Sequence, residues 1–389
     1  MEPVLRISGQ GSLTITLNGL TSEQVAFLLQ TVRSTDNGAG FESFPSHSSV
    51  NSAASSSTAS MQTFLTGMPQ TLKSLTRFIA LHDSSFANLS KKIDSLLDNY
   101  LRSDYKINCK GTILDLGSRT HIMGILNVTP DSFSNGGLYS STEKALAHAR
   151  EIAAAGADII DVGGESTRPG AKPLSEEEEL DRIIPVIRRL SAELSIPISV
   201  DTYKSTVAKK ALEAGASIVN DISGLRFSPD MARVAADSGA VVVIMHIKGT
   251  PRDMQQNPVY EDVTAEVTAY LEEGIEIAIN AGLDREKILI DPGIGFGKTI
   301  EHNLVLINRL DEVRCLGRPI VLGTSRKKFI GSILNIPVPE QRVDGTAATV
   351  ALGIERGAAV VRVHDVARMA QVARMADAIL KIKLKKNIK

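Results

Sequence analysis

The fold is decided by eight runs of sequence: HIMGILN (121–127), DIIDVGG (158–164), PISVD (197–201), SIVND (217–221), AVVVIMH (240–246), KILIDPG (287–293), PIVLG (319–323) and AVVRVH (359–364). Amphipathic stretches such as EKALAHAREIAAAG (143–156) and RIIPVIRRLSAEL (182–194) lie between them. Apolar runs that alternate with helices are typical of parallel strands buried on both faces. The eight repeats predict an α/β fold, a (β/α)8 TIM barrel over residues 105–389 with a small hairpin at 105–116. An open, doubly wound sheet is the main alternative, although nothing marks the reversal of strand order that it needs.

The residues before the barrel predict a small N-terminal α/β-helical extension in three parts. Residues 1–33 contain VLRIS, SLTITL and TSEQVAFLLQTV, which predict a small ββα unit whose helix begins with a capping box of Thr21 and Gln24. Residues 34–60 are rich in Ser, Asn, Ala and Gly. They predict a flexible Ser-rich linker because they offer little apolar surface to bury. Residues 61–104 predict an amphipathic helical segment.

In this helical segment, mostly apolar residues recur in steps of three and four over about four heptads. The positions are Leu72, Leu75, Ile79, His82, Phe86, Leu89, Ile93, Leu96 and Tyr100. The spacing is typical of a coiled coil, but a helix packed on its own domain gives nearly the same pattern. Under the first interpretation the segment alters self-association, and protonation of His82 in the apolar stripe weakens that association.

Composition limits the functional classes. The formal net charge of −1 and the pI near 6.7 give no overall field that favours nucleic acid or an anionic membrane. No run approaches the roughly 18 apolar residues of a membrane span, and no signal-peptide pattern opens the chain. Cys109 and Cys315 lack metal-ligand spacing and suit a reducing compartment. We therefore expect a cytoplasmic protein with neither nucleic-acid nor membrane partners.

Polar residues follow nearly every predicted strand at its carboxyl end, where TIM barrels place their active sites. They are Asn127, Asp131, Asp161, Glu165, Arg168, Asp201, Asn220, Asp221, His246, Asp291, Ser325, Arg326, Lys327, Arg362 and His364. Helix capping or a satisfied buried carboxylate would explain one or two of these residues. It would not explain polar residues at nearly all eight strand ends.

The residue types at the strand ends are also sorted by charge. Asp201, Asn220 and Asp291 offer acceptors and an amide, which suit a flat heterocycle with amino and ring N–H groups. The basic residues after the last two strands suit an anion, because the phosphate site of TIM barrels commonly lies there. Asn127 and nearby oxygens of the first loop suit Mg²⁺ bound against that anion.

The glycine-rich stretch PGIGFGKT (292–299) resembles a Walker A phosphate loop, but Pro292 stands where the first glycine is required. The spacing also fails the G-x-G-x-x-G pattern of dinucleotide-binding folds. Its glycines instead predict a close approach of the backbone to a ligand. Lys298 is expected to be solvated.

Eight motifs carry a resemblance to a known family. They are MGILNVTPDSFSNGG (123–137), DVGGESTRPGA (161–171), SVDTYK (199–204), VNDISG (219–224), MHIKGTP (245–251), IDPGIGFGK (290–298), TSRKKFIG (324–331) and RVHDV (362–366). From about residue 105 to the C-terminal helix the chain resembles the dihydropteroate synthases, whereas residues 1–104 carry no such resemblance. The resemblance implies a transferase that condenses 6-hydroxymethyl-7,8-dihydropterin pyrophosphate with p-aminobenzoate. The products would be 7,8-dihydropteroate, for folate biosynthesis, and pyrophosphate.

The resemblance also implies roles for single residues. The pterin would be bound by Asp201, Asn220, Asp291 and Lys327, with Met245 and Arg362 against its ring. The pyrophosphate would be held by Arg362 and His364, and by Asn127 together with Mg²⁺. The p-aminobenzoate pocket, which sulfonamides would also enter, would be shaped by Thr167, Arg168, Pro169, Phe296 and Ser325. Catalytic roles would fall to Arg168, Lys327, Asp131 and Asn135, and the enzyme would be a homodimer.

One position departs from the family, which often has Asp where this chain has Asn135. A neutral amide there predicts a less ordered first loop, in which Asp131 carries more of the role. Two other functions stay open from the sequence. A methyltetrahydrofolate methyltransferase serving a corrinoid protein would share the pterin-binding carboxylates, but it has no need of STRPGA, SRKK and RVH around a pyrophosphate. A scaffold barrel is disfavoured by the intact set of polar strand ends.

Overall fold

The computed structural model describes residues 4–8, 12–35, 39–45, 61–129, 138–166 and 173–386. The chain divides into two compact units. The first comprises Met1–Arg102 with Arg314–Gly317, and the second comprises Ser103–Val313 with Arg318–Lys389.

The first unit contains an antiparallel sheet whose strands lie in the order β1–β2–β4–β3. The strands are β1 (Val4–Ser8), β2 (Ser12–Leu20), β3 (Gly40–Pro45) and β4 (Met61–Gly67). Helix α1 (Ser22–Thr35) follows β2 and precedes β3 in the chain. It begins with the predicted capping box, in which the Thr21 N–H donates to Gln24 Oε1 (3.0 Å) and the Gln24 N–H donates to Thr21 Oγ1 (3.2 Å).

Two further helices complete this unit, α2 (Pro69–His82) and α3 (Ala87–Leu101). Asp83 ends the first helix and accepts a hydrogen bond from the Ser85 N–H (2.8 Å), which opens a short 3-10 turn before α3. The helices run antiparallel, and Arg77 of α2 pairs with Asp94 of α3 (3.2 Å). Their apolar faces are buried through Leu72, Leu75, Ile79, Phe86, Leu89, Ile93 and Leu97.

The structure corrects two predictions for this unit. Gly40–Pro45 was assigned to the flexible linker and Met61–Gly67 to the helical segment, but both are strands. They pair with each other, and pairing between segments distant in sequence leaves no trace in composition. The remaining linker residues, 46–60, lie outside the described residues. The coiled-coil interpretation is also wrong, because a turn at Asp83–Phe86 divides the segment into two helices whose apolar positions from Leu72 to Ile93 are buried in their own unit. Leu96 and Tyr100 are half-buried, and His82 is exposed.

The second unit is a closed barrel of eight parallel strands, in chain order around the ring. They are β7 (His121–Asn127), β8 (Ile159–Gly163), β9 (Ile198–Asp201), β10 (Ile218–Asp221), β11 (Val241–Met245), β12 (Ile288–Asp291), β13 (Ile320–Leu322) and β14 (Ala358–Val363). β14 pairs with β7 and closes the ring. All eight predicted strands and the TIM barrel are confirmed, and the closure excludes the open-sheet alternative.

Helices lie between these strands and after the last one. They are α4 (Leu138–Ala154), α5 (Glu176–Glu193), α6 (Ser205–Glu213), α7 (Met231–Asp237), α8 (Val263–Asn280), α9 (Ile300–Asn308), α10 (Lys328–Leu334), α11 (Val343–Glu355) and α12 (Val366–Lys386). Local sequence signals start several of them. Ser175 and Glu178 form a capping box at α5, and Asp262 accepts from the Thr264 N–H (3.0 Å) at α8.

The predicted hairpin is confirmed as β5 (Lys106–Cys109) and β6 (Thr112–Asp115). Its inward residues Ile107, Cys109 and Leu114 form one buried cluster with the first residues of several barrel strands, including Ile159 and Ile218. The hairpin therefore covers the amino end of the barrel, which leaves the carboxyl end for a site. No helix in the described part of the chain has both the length and the apolar content to cross a membrane.

Candidate active site

Arg362, on β14, lies between two carboxylates of other strands. Its Nε donates to Asp161 Oδ2 on β8 (2.6 Å), and its Nη2 donates to Asp201 Oδ2 at the end of β9 (2.6 Å). Asn220 on β10 donates from Nδ2 to the same Asp161 oxygen (3.1 Å). These four residues, the Arg362 cluster, therefore connect strands that are up to 201 positions apart in the chain.

Burial sets the electrostatics of this cluster. The Asp161 side chain is fully buried and the Asp201 side chain is 12% exposed. Burial raises the pKa of Asp201, while the guanidinium of Arg362 opposes the rise and the carboxylate of Asp161 adds to it. A buried carboxylate without a compensating cation costs several kcal/mol. The guanidinium of Arg362 therefore stabilises the ionised form of Asp201 within this buried cluster.

Asp291, at the end of β12, provides a third carboxylate. Its Oδ1 accepts from the Gly293 N–H (2.7 Å). A Cβ added at Gly323 would lie 3.8 Å from Asp291 Oδ2 and 3.9 Å from the Cβ of Arg362, so the second oxygen faces the Arg362 side of the barrel. Burial raises the pKa of Asp291, although Lys327 opposes the rise.

Lys327, which follows β13, reaches toward the same carboxylate. Its Nζ donates to the Ile294 carbonyl and lies 4.5 Å from the centre of the Phe296 ring. Burial lowers the pKa of Lys327 to about 8, and Asp291 opposes this shift. The site thus contains an ammonium group whose charge is sensitive to pH in the neutral to alkaline range.

Lys298 is buried, with 2% of its surface exposed, so the prediction of a solvated lysine is wrong. Its Nζ lies 2.8 Å from His246 Nδ1 and donates to the carbonyls of Gly293 and Phe296 (3.0 Å each). Burial and the neighbouring Lys298 lower the pKa of His246 to about 2. The imidazole is therefore neutral and shares a hydrogen bond with the Lys298 amine, whose bonds to the two carbonyls stabilise the glycine-rich turn that carries Phe296.

Ser325 and His364 join the ends of β13 and β14. The His364 N–H donates to Ser325 Oγ (3.1 Å), and His364 Nδ1 lies 3.0 Å from the same oxygen. Ser325 is buried and His364 is half-buried. The two residues that the sequence assigned to the arylamine pocket and to the anion are therefore in direct contact.

Asn127 and Met245 complete the described part of the site. Asn127 ends β7, and a Cβ added at Gly163 would lie 3.8 Å from its Oδ1 and 3.6 Å from Asp201 Oδ2. Met245 is buried and lies opposite Asp291 in the pairing of β11 with β12. No group of three or more His, Cys, Asp or Glu side chains suited to a metal occurs among the described residues.

The structure thus gathers ten of the predicted residues at the carboxyl end of the barrel strands: Asn127, Asp201, Asn220, Met245, Asp291, Phe296, Ser325, Lys327, Arg362 and His364. The other five, Asp131, Asn135, Thr167, Arg168 and Pro169, lie outside the described residues.

Three residues of the site had no assigned role from the sequence. Asp161 and His246 were recognised as polar strand ends, and Lys298 was set aside with the glycine-rich stretch. Their signal was present: Asp161 lies within a fully buried strand, where an isolated carboxylate implies a cationic partner. The identity of that partner, Arg362, depends on closure of the barrel.

Comparison with known proteins places this site in a family. Residues 123–364 match the pterin binding enzyme family. The chain is 52% identical over 274 residues to the dihydropteroate synthase of Bacillus subtilis, a match that covers 70% of this chain and 93% of that protein. The chain belongs to the dihydropteroate synthase family.

Solved structures of dihydropteroate synthases agree with this assignment. The Xanthomonas albilineans enzyme, determined with 4-aminobenzoic acid, is 45% identical with a TM-score of 0.67, covering 71% of this chain and 98% of that one. The Yersinia pestis enzyme, determined with a sulfonamide drug complex, is 42% identical with a TM-score of 0.67, covering 71% of this chain and 99% of that one. Both confirm the barrel.

Membership of the dihydropteroate synthase family makes this chain a transferase of folate biosynthesis. The matched residues 123–364 extend from β7 to β14 and include the described site from Asn127 to His364. The family assignment therefore favours the synthase over the methyltransferase and scaffold alternatives.

Proposed function

We propose that the described strand ends bind 6-hydroxymethyl-7,8-dihydropterin pyrophosphate and p-aminobenzoate and join them to give 7,8-dihydropteroate and pyrophosphate. The observation that carries this proposal is the sorting of groups around Arg362. Carboxylates and an amide lie on β9, β10 and β12, while cations follow β13 and lie on β14. A substrate with a donor-rich ring and an anionic tail matches this division.

The pterin ring would bind on the acidic side of the site. Asp291 Oδ2 and the Asp201 carboxylate offer acceptors for the amino and ring N–H groups of a pterin. Because one N–H of the Asn220 side-chain amide donates to Asp161, its carbonyl oxygen and its second N–H are the groups proposed to meet a ligand. Lys327 would complete the recognition by donating to a ring acceptor, and Met245 would lie against the ring.

The pyrophosphate would lie near Arg362, Lys327 and His364. In the reaction the bond between the pterin methylene carbon and the pyrophosphate oxygen breaks, and the arylamine nitrogen forms a new bond to that carbon. The leaving anion departs with the bonding electrons, and the nitrogen then loses a proton. Fixed cations stabilise the charge that develops on the leaving group, and no protein nucleophile is required.

Magnesium is proposed as a partner of the pyrophosphate rather than a resident of a protein cage. Asn127 offers one amide oxygen at the end of β7, beside Asp201. This donor set fits Mg²⁺, which commonly takes one or two protein oxygens together with substrate phosphates and water. When bound, the ion would neutralise charge on the pyrophosphate, with Asn127 as its described protein ligand.

The arylamine would enter beside Phe296 and Ser325. Thr167, Arg168 and Pro169, which lie outside the described residues, are proposed as the rest of this pocket, and Arg168, Asp131 and Asn135 as catalytic loop residues together with Lys327. The Xanthomonas albilineans structure with 4-aminobenzoic acid and the Yersinia pestis structure with a sulfonamide support a pocket for p-aminobenzoate and its drug mimics in this chain as well.

We expect Asp201→Asn and Asp291→Asn each to lower kcat/KM for the pterin pyrophosphate at least about tenfold. Each change removes charge-assisted hydrogen bonds worth roughly 1.5–3 kcal/mol. Steady-state kinetics on the folded variants give the measurement. Asp221→Asn is the matched control, because that carboxylate is bonded to Ser223 and Leu225 of its own loop. Near wild-type kinetics in both test variants would remove the pterin assignment.

We expect kcat/KM for the pterin pyrophosphate to fall as the pH rises through about 8, where the folded enzyme loses the Lys327 charge. The unfolded chain keeps that proton to about pH 10.5, so between these values Lys327 makes stability rise with pH. Loss of activity above pH 8 is therefore not due to unfolding at this residue. The Lys327→Arg variant keeps its positive charge at these pH values, so its kcat/KM should not decline. If kcat/KM declines in that variant with the same midpoint, a group other than Lys327 causes the decline.

A homodimer in the cytoplasm is proposed as the state of this enzyme. Helix α12 exposes Met375 (62%), Ile379 (50%) and Ile382 (62%) on one face, and Leu352 of α11 is 56% exposed. Apolar residues at this spacing favour burial against a second subunit. Cys109 and Cys315 are buried, and buried cysteines of this kind suit a reducing compartment. Sedimentation of the full chain tests the dimer.

A further inference from the structure

Arg326 has a backbone conformation that glycine normally adopts. It is the third residue of a turn closed by a hydrogen bond from the Lys327 N–H to the Thr324 carbonyl (3.2 Å). Its φ is 58°. A positive φ at this position of a turn favours glycine or asparagine, because a side chain is strained there. Such strain persists where the surroundings hold the residue in place, and it is often found at functional sites.

Four contacts hold Arg326, two at its backbone and two at its guanidinium, and the weakest of them is an ion pair of Nη1 with the exposed Glu340 (3.7 Å). Its N–H donates to Thr346 Oγ1 (3.1 Å), and its carbonyl accepts from Arg342 Nη1 (2.9 Å). Its guanidinium forms a bidentate pair with Asp365, with Nε 2.9 Å from Oδ2 and Nη2 2.6 Å from Oδ1. Both side chains are mostly buried, at 23% and 21% exposed. Glycine would relieve the strain but would lose the pair with Asp365, so the side chain is the reason for arginine here.

The pair links two ends of the site. Arg326 stands between Ser325 and Lys327, and Asp365 follows His364 directly. The pair therefore lies beside the contact between Ser325 and His364. In that contact Ser325 Oγ lies 3.1 Å from the backbone nitrogen of His364 and 3.0 Å from its Nδ1. Two parallel connections thus join the ends of β13 and β14. The pterin acceptors Asp201 and Asn220 belong to other strands.

We propose that Arg326 is a positioning residue that, through its bidentate pair with Asp365, keeps Ser325 and His364 together at the arylamine and pyrophosphate end of the site. The inference rests on the roles proposed above for Ser325 and His364. Breaking the pair would displace the groups after β13 and β14, including Lys327, and would leave the pterin acceptors of β9, β10 and β12 in place.

The test uses the full chain with Arg326→Gly, Asp365→Asn and the double variant. Steady-state kinetics give kcat and KM for both substrates, and calorimetry gives Kd for inorganic pyrophosphate and for 6-hydroxymethylpterin. We expect kcat/KM for p-aminobenzoate to fall about tenfold to a hundredfold and the pyrophosphate Kd to rise about tenfold, because small displacements of positioning groups are costly. The pterin Kd should rise less than the pyrophosphate Kd, because Lys327 is the one proposed pterin ligand in this turn, while Asp201, Asn220 and Asp291 lie on other strands. The double variant should lose no more than either single variant, since all three break one pair.

Arg119→Ala is the matched control, because Arg119 forms a bidentate pair with Asp158 (2.8 and 2.5 Å) that joins the starts of β7 and β8 at the amino end of the barrel. It should leave every KM and Kd unchanged. If Arg326→Gly and Asp365→Asn behave like Arg119→Ala, with altered thermal stability only, the inference is wrong. It is also wrong if the pterin Kd rises as much as the pyrophosphate Kd.

Asp365→Asn decides the matter if Arg326→Gly does not fold, because it leaves the strained backbone unchanged. The proposed function is judged separately, on turnover by the wild-type chain. Without that turnover the proposed function fails, while the Kd for inorganic pyrophosphate still reports whether the pair positions its end of the site. Normal wild-type turnover with unaffected variants rejects the inference alone.

Discussion

Replacing Arg362 with methionine should lower the free energy of unfolding by about 3–5 kcal/mol and reduce kcat/KM at least about a hundredfold. The guanidinium is the cation that compensates Asp161 and Asp201, to which it donates at 2.6 Å each. Methionine fills a similar volume but leaves two carboxylates that are mostly removed from water. The same substitution removes a cation from the proposed pyrophosphate site. Urea unfolding and steady-state kinetics measure the two effects.

The stability loss should depend on pH in a defined direction. Burial already raises the pKa of Asp201 to about 7, and Arg362 opposes that rise. Without Arg362 the folded-state pKa of Asp201 rises further, so the folded variant binds more protons than the unfolded chain and its stability falls as the pH rises. The variant should therefore be less destabilised at about pH 5 than at about pH 8. Adding Asp161→Asn should recover part of the stability and none of the activity.

Arg318→Met provides the control for a lost buried arginine. Arg318 is 2% exposed and donates to the Arg285 carbonyl and to Glu286 (3.0 Å) before β13, at the amino end of the barrel. We expect it to cost stability and to leave kcat/KM per folded molecule unchanged. Equal activity losses in both variants would show that Arg362 acts through the fold alone.

Replacing Gly293 with alanine should have the second largest effect, a loss of more than about 4 kcal/mol or failure to fold. Gly293 has a φ of 68°. A Cβ at this position would lie 1.8 Å from the backbone carbonyl oxygen of His246, which follows the neighbouring strand β11. Relief would require β11 and β12 to separate at the site. The change would also disturb two hydrogen bonds, the one that the Gly293 N–H donates to Asp291 and the one that the Gly293 carbonyl accepts from Lys298.

Gly282→Ala separates crowding from backbone strain. Gly282 has a φ of 93° but nothing within 4 Å of an added Cβ. It should lose only about 1–2 kcal/mol, the usual cost of a left-handed alanine. Thermal unfolding of both variants is the measurement. If the two variants lose the same free energy of unfolding to within about 1 kcal/mol, the close approach at Gly293 is contradicted. The positive φ of the two glycines would then explain both losses.

The N-terminal unit shows where local sequence patterns mislead. The helix from Ser22 was predictable because its capping box and apolar spacing are local. The strand Gly40–Pro45 was not, because its polar composition resembles a linker and its order comes from hydrogen bonds to Met61–Gly67. The three-four spacing from Leu72 to Ile93 identified six buried positions, but His82 is exposed and Leu96 and Tyr100 are half-buried. It could not reveal that Asp83 divides them between two helices that pack on each other.

The sequence by itself determined the barrel, its eight strands and the polar residues at their carboxyl ends, because apolar runs, caps and motif order are properties of neighbouring residues. Only the tertiary structure decided which polar groups meet. Asp161 and Arg362 are 201 positions apart and meet only because the strands close into a ring, whereas His246 and Lys298, 52 positions apart, meet because β11 and β12 pair side by side. The strained turn at Arg326 was likewise hidden, since its positive φ is imposed by Thr346, Arg342 and Asp365 rather than by a local preference of arginine.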